Sequence, residues 1–176
     1  EMLLLLGDNF YSKMEGGLKS ERWQTGFEDM YPASSFPGKC LAVLGNHDYH
    51  DNAGGEQVQL AYAQQAGTRW TMPAKWYRED LGELVTFLFL DTNLRSVSGS
   101  SKNKDGKLVK KNCLTADEEV AQWAWLKEQL ASKRGTYTIV VGHHPVYSNG
   151  SHGDTKELVE KLSPQLQDAG VHLYLC

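Results

Sequence analysis

Apolar runs in this sequence repeatedly stop at short polar clusters, and the stops are spelled alike. Leu3-Leu4-Leu5-Leu6 gives way to Gly7-Asp8-Asn9, and Leu41-Ala42-Val43-Leu44 to Gly45-Asn46-His47-Asp48. Ile139-Val140-Val141 gives way to Gly142-His143-His144-Pro145. The run over residues 85–90 ends in Asp91-Thr92-Asn93 without the glycine. Short apolar runs with β-branched members, bounded by glycine, predict buried strands. Residues 172–176 predict one more.

Between the strands the apolar period lengthens towards that of a helix. Residues 117–132 are the clearest case. Thr115 and Glu118 have capping-box spacing, and Val120, Trp123, Ala124, Leu126 and Leu130 predict the inner face. A second helix is predicted from about residue 155, with Leu158, Val159, Leu162 and Leu166 inward and Pro164 as a kink or interruption. Residues 20–30 and 57–65 are weaker helical candidates. Strands alternating with helices predict an α/β fold. Residues 96–112 are turn-rich, with Gly99 and Gly106, and predict an exposed, mobile surface loop. In open α/β folds ligands bind beyond the carboxyl ends of strands, which is where Asp8, Asn46, His47 and His143 fall.

Composition narrows the picture. The chain has 176 residues, 40% of them hydrophobic, which suits one domain with a packed core. The formal net charge is −4, so charge makes no case for nucleic acid or membrane as partners. Lys102, Lys104, Lys107, Lys110 and Lys111 form one local basic stretch, whose plain interpretation is a solvated loop. No apolar run has the length of a membrane span. Cys40, Cys113 and Cys176 lack metal-site spacing; being odd in number, they leave at least one thiol free or paired elsewhere. Cys40 and Cys176 flank strand runs and are expected to be buried small hydrophobes. Leu3 to Leu6 starts a strand with no lead-in and residues 172–176 stop inside one, so both termini are expected to be cut.

The polar clusters can be weighed as metal ligands. Asp8 offers two carboxylate oxygens, Asn46 an amide oxygen and His143 an imidazole nitrogen. Tyr11, three residues after Asp8, can bring a phenol to the same side. An O/N donor set without thiolate suits Fe(III), Zn, Mn or Fe(II). Two such ions can clamp a phosphate and activate water. Taken singly, Gly-Asp-Asn is a common turn, Tyr11 a packed aromatic and His143 a satisfied core histidine. The ordered set favours the ligand interpretation. Asp48 is expected to orient its motif through hydrogen bonds, His144 to line the pocket, Asp91 and Asn93 to give structural support, and His50 and His172 to do no chemistry. Asn149-Gly150-Ser151 is a glycosylation sequon, expected to be an unmodified turn.

In their order, Gly7-Asp8-Asn9, Gly45-Asn46-His47-Asp48 and Gly142-His143 resemble successive motifs of the calcineurin-like metallophosphoesterases. Tyr11 in Gly7-Asp8-Asn9-Phe10-Tyr11 narrows the resemblance to purple acid phosphatases. Gly142-His143-His144-Pro145-Val146-Tyr147-Ser148 with Ser151-His152-Gly153, and Val171 to Cys176, are similar to the small, tartrate-resistant type. The resemblance implies a β-sandwich flanked by helices, incomplete at both termini, with residues 1–176 as the central part of one catalytic domain. It implies Fe(III) plus a divalent metal (Fe, Zn or Mn), with Asp8 bridging, Tyr11 on iron, and Asn46 and His143 on the second ion. His47 and His152 would face the substrate as catalytic residues. The implied reaction is acid hydrolysis of phosphate monoesters, with metal-bound hydroxide as nucleophile, by a secreted or lysosomal/vacuolar monomer. The basic stretch would correspond to a loop over the active site that restrains it until cleaved. The family also uses an Asp on an earlier strand and a later Gly-His-x-His, both outside this sequence, so the chain alone is expected to bind metals poorly and turn over little. A phosphodiesterase or nucleotide hydrolase of the same superfamily, or a non-catalytic module with a degenerate metal site, are the alternatives.

Overall fold

The computed structural model describes residues 2–51 and 53–176 of the chain. The predicted strands form where the apolar runs lie. β1 is Leu3–Leu5, β2 Cys40–Ala42, β5 Val85–Phe89, β8 Tyr137–Val141 and β9 Leu173–Leu175. Among the elements that escape the apolar pattern are β3 (Trp70–Thr71), β4 (Tyr77–Leu81) and the short helix α1 (Asn46–His50), each with few apolar residues. β1, β2 and β3 make a parallel sheet in that order. The second sheet has the order β4-β5-β8-β9, parallel except for the β4–β5 hairpin.

The period-two side-chain rule explains how these sheets stack. On β5 and β8, Phe87, Phe89 and Val141 enter one core with Cys40, Leu41, Ala42 and Trp70 of the first sheet. Leu88 and Val140 point the other way, into a second core with Leu126, Leu158, Leu162 and Leu166. Both faces of the second sheet are therefore covered, one by a sheet and one by helices. Tyr77 links the sheets: its ring stacks on Phe89 at 4.4 Å and its hydroxyl donates to Ala42 O at 3.0 Å. Burying each such Phe or Leu contributes about 1.5–3 kcal/mol. This is the α/β sandwich expected from the sequence. One detail differs: Leu3, Leu4, Leu5 and Leu6 are only half-buried, because β1 is the outer strand of its sheet.

The helices covering the second sheet are α3 (Ala116–Ala131) and α4 (Lys156–Asp168), with α2 (Gly55–Tyr62) beside the first. The α3 capping box forms as predicted: Glu118 N donates to Thr115 Oγ1 at 3.2 Å and Thr115 N to Glu118 Oε2 at 2.8 Å. Thr115→Ala should cost about 1 kcal/mol, read as a lower urea midpoint at unchanged slope. The inner face of α3 is rotated from the expected one. Val120 is 70% exposed and Ala124 is exposed, while Gln122 is buried. The reason is polar: the Gln122 side chain donates to Asp91 O at 2.9 Å and accepts from Asp91 N at 2.8 Å. α4 runs through Pro164 unbroken, its two halves anchored by buried Leu158, Leu162 and Leu166. Residues 20–30 contain a π-helix at Gln24–Glu28, an unforeseen local winding.

The basic stretch is not a formless loop. It is a hairpin of β6 (Ser100–Lys102) and β7 (Leu108–Lys110), closed by Asn103, whose Oδ1 accepts from Asp105 N at 3.0 Å and Lys107 N at 2.9 Å. Lys102, Lys104, Lys107 and Lys110 are exposed, as expected, and Lys111 is half-buried. Cys40, Cys113 and Cys176 are all free thiols. Cys40 is buried but Cys176 is exposed, since β9 is an outer strand with no neighbour on its far side among the described residues. No helix among the described residues is long and apolar enough to cross a membrane.

Candidate metal centre

The ends of β1, β2 and β8 converge on Asp8. Two backbone features make the approach possible. Gly7 adopts φ 91°, and a Cβ there would meet the His143 ring at 2.6 Å and Gly45 N at 2.8 Å. Asp8 itself sits at φ 54°, a left-handed conformation that Asp tolerates better than most residues and that marks strained, functional turns. Gly45 is pressed against Asp8 so closely that any side chain there would overlap the Asp8 backbone and carboxylate.

The Asp8 carboxylate then gathers its neighbours. Tyr11 Oη donates to Oδ2 at 3.0 Å, and His47 N donates to Oδ1 at 2.9 Å. His143 Nε2 lies 3.4 Å from the same Oδ1 and 3.3 Å from Asn46 Oδ1. On the far side of that ring Nδ1 lies 2.8 Å from Leu6 O. A carbonyl only accepts, so Nδ1 carries the proton, and in the neutral ring Nε2 presents a lone pair. A nitrogen lone pair, a carboxylate oxygen and an amide oxygen thus face one another, an arrangement that calls for a cation or an added proton between them. The residues present therefore fit a metal. The structure brings together Asp8, Tyr11, Asn46 and His143. Among the described residues no three His, Cys, Asp or Glu side chains cluster as a metal site. This cluster has one carboxylate and one imidazole, completed by a phenol and an amide.

Electrostatics bears on each member. Tyr11 is 55% exposed; the hydrogen bond to Asp8, then burial and the Asp8 charge, raise its phenol above the ordinary value. It stays a phenol unless a cation displaces the proton. His144 is pushed down to about 4, first by burial and then by neighbouring His143, so it is a neutral ring at physiological pH. The His47 ring lies 4.5 Å from the Tyr11 ring, tilted by 44° to it, and its Nδ1 sits 3.1 Å from Asp51 Oδ2. Burial opposes ionisation of Asp51, but bonds from Ser12 N–H and the His47 ring hold its carboxyl below the usual range.

Asp48 plays the orienting part expected of it. Its carboxylate accepts from Gly45 N at 2.8 Å, Phe10 N at 3.1 Å, Asn9 N at 3.2 Å, Asn9 Nδ2 at 3.3 Å and Gln59 Nε2 at 2.7 Å. It ties the loop after β1 to the loop after β2. Asp91 and Asn93 likewise give support: Asn93 Nδ2 donates to Leu44 O at 3.0 Å and Asp91 accepts from Tyr49 Oη at 2.5 Å. His50 binds Ser98 O at 3.1 Å, and His172 Nδ1 accepts from Thr138 N at 3.1 Å, both structural contacts. His152 lies exposed in the turn after β8; among the described residues no hydrogen bond, ion pair or ring contact joins it to the Asp8 cluster. Asp51, Gln59 and Thr92 were not singled out from the sequence. Only Thr92 carried a signal, as the middle of the polar stop after β5.

The family described as calcineurin-like phosphoesterase matches over residues 1–176. The chain belongs to that family. Human tartrate-resistant acid phosphatase type 5 is 36% identical over 100% of this chain and 54% of its own length. Purple acid phosphatase 17 of Arabidopsis thaliana is 33% identical over 99% of this chain and 51% of its own. Among solved structures, one titled "GAP50 the anchor in the inner membrane complex of Plasmodium" superposes with a TM-score of 0.72 at 29% identity, covering 98% of this chain and 54% of that one. The chain thus spans about half the length of these relatives. In calcineurin-like phosphoesterase terms, the fold expected from the motifs is the fold observed.

Proposed function

We propose that this chain supplies the central part of a phosphomonoester-hydrolysing acid phosphatase domain. The observation that carries the proposal is the meeting of His143 Nε2 with Asp8 Oδ1 at 3.4 Å and Asn46 Oδ1 at 3.3 Å, with the Tyr11 phenol on the other Asp8 oxygen at 3.0 Å. Kinship with acid phosphatases over the whole chain supports it. Asp8, Asn46 and His143 would hold a divalent ion (Fe, Zn or Mn), and Asp8 with Tyr11 would hold Fe(III). Bound there, the pair would draw charge from a phosphate ester and activate water for in-line attack.

The chain's own residues do the rest. Asp48 and Gln59 keep the two loops in register. His47, steadied through its Nδ1–H by Asp51, would as the imidazolium hydrogen-bond a phosphate oxygen through Nε2–H and give that proton to the departing alkoxide, returning to the neutral ring. His152, on its exposed turn, is proposed for the same leaving-group role when substrate is bound. A secreted or lysosomal/vacuolar setting and a monomeric state belong to the same proposal.

The test compares a phosphate monoester with a bis-ester, using protein expressed from its full reading frame. Faster monoester turnover that collapses in Asp8→Asn is expected; preference for the bis-ester would make the protein a phosphodiesterase. A second reading, a non-catalytic anchoring module, is favoured by the structural neighbour whose title names an anchor. That reading requires no turnover of either ester and no retained metal.

A further inference from the structure

The polar stop after β5 bears on how the His143 turn is held. Thr92 Oγ1 has three partners. His143 N reaches it at 3.2 Å, His144 N at 3.0 Å, and His144 Nδ1 lies 2.8 Å away. A hydroxyl oxygen has two lone pairs and one proton. The two backbone N–H groups can only donate, so they take both lone pairs. The remaining partner, His144 Nδ1, must receive the hydroxyl proton and so carries none of its own. From the other side, Tyr174 Oη donates to His144 O at 2.8 Å. The His144 peptide is thus held at both its N–H and its C=O.

We infer that Thr92 is the positioning residue of this site: its hydroxyl fixes the backbone of His143 and His144 and sets His144 as the tautomer protonated on Nε2. His143 carries the opposite tautomer, because its Nδ1 donates to Leu6 O at 2.8 Å. Adjacent histidines therefore divide the work. His143 offers a bare Nε2 as a ligand, and His144 offers an Nε2–H as a fixed donor. The ligand half of this statement rests on the proposed metal centre; the tautomer half does not. Partners behind a ligating histidine that fix its orientation typically change metal affinity 10–100-fold when removed.

The experiment is a two-bond proton–nitrogen NMR correlation of the histidine rings near neutral pH, on protein expressed from its full reading frame, with Zn2+ titrations beside it. Wild type should show His144 protonated at Nε2 only. Thr92→Val keeps the shape but removes the hydroxyl, and should give a mixed His144 tautomer and at least about tenfold weaker Zn2+ binding. Thr92→Ser should restore both. A purely packing role for Thr92 would lower the melting temperature in Thr92→Val yet leave tautomer and affinity alone, and would overturn the inference. So would a wild-type His144 protonated at Nδ1, a measurement that needs no variant to fold. Absence of Zn2+ binding in wild type would instead sink the metal centre, with the tautomer still deciding the role of Thr92.

Discussion

Asp48→Ala should cost about 3–5 kcal/mol of stability, as much as truncating a large core side chain. The carboxylate is almost completely buried and is the common acceptor for the Gly45, Asn9 and Phe10 backbones and the Asn9 and Gln59 amides. Truncation leaves these donors facing a cavity, and each unsatisfied buried donor costs about 1–3 kcal/mol before relaxation. Relaxation recovers part of that sum, which still leaves a loss comparable to breaking a buried ion pair. Asp48→Asn should fall between wild type and Ala, since its amide nitrogen would replace one acceptor by a donor aimed at other donors. Denaturant unfolding of the three proteins checks the order. An Asp48→Ala midpoint equal to wild type would show that the two loops are held by packing alone.

The second large effect is a pH dependence hidden by compensation. Burial pushes the Asp91 carboxyl up to about 6, despite bonds from Tyr49 and Asn93 that favour its ionised form. In the unfolded chain it titrates near 3.9. Between these values the native state holds the extra proton. Asp91 therefore contributes stability that is complete below about pH 4 and is lost as pH rises through about 6, a change of about 3 kcal/mol. His144 works in the opposite direction. Burial holds it down at about 4, so its contribution is present above its unfolded value of 6.5 and is lost as pH falls through about 4. The two largely cancel in the wild type. Asp91→Asn should unmask the His144 contribution. Relative to wild type, it should gain about 3 kcal/mol between about pH 4 and about pH 6.5, measured as the difference in unfolding free energy. Parallel wild-type and Asn curves would mean that Asp91 titrates normally in the folded protein.

How much of this could be read from the sequence follows from what carried the signal. The apolar runs at residues 41–44, 85–90 and 139–141 became strands because their residues pack against both sheets or a sheet and a helix layer, leaving no polar face to disguise them. β4 was hidden because it is an outer strand: Tyr77 is its buried residue, while Arg78, Glu79, Asp80 and Leu81 face water in part or wholly. The face of α3 was misplaced because periodicity counts apolar residues, and the position that turns inward is Gln122, satisfied by the Asp91 backbone. The lysine hairpin reads as a loop in the sequence because its pairing depends on the Asn103 side chain and on Gly106 at φ 76°, not on apolar alternation. For the site, the Gly-bounded motifs gave Asp8, Tyr11, Asn46 and His143, and the fold brings these into one cluster. Residues that act through side-chain hydrogen bonds from distant elements leave little trace: Gln59 on α2 has no motif spacing, and Thr92 shows only as the middle of the polar stop after β5.

The Asp8 cluster is proposed as a metal centre with Tyr11 as one of its ligands. The most direct measurement is the visible absorption and metal content of protein expressed from its full reading frame and purified without chelator, beside the same protein carrying Tyr11→Phe. Retained metal and a broad mid-visible band that disappears in Tyr11→Phe are expected, since only a phenolate on ferric ion supplies that band here. Protein that retains no metal, or a band unchanged by Tyr11→Phe, would contradict it.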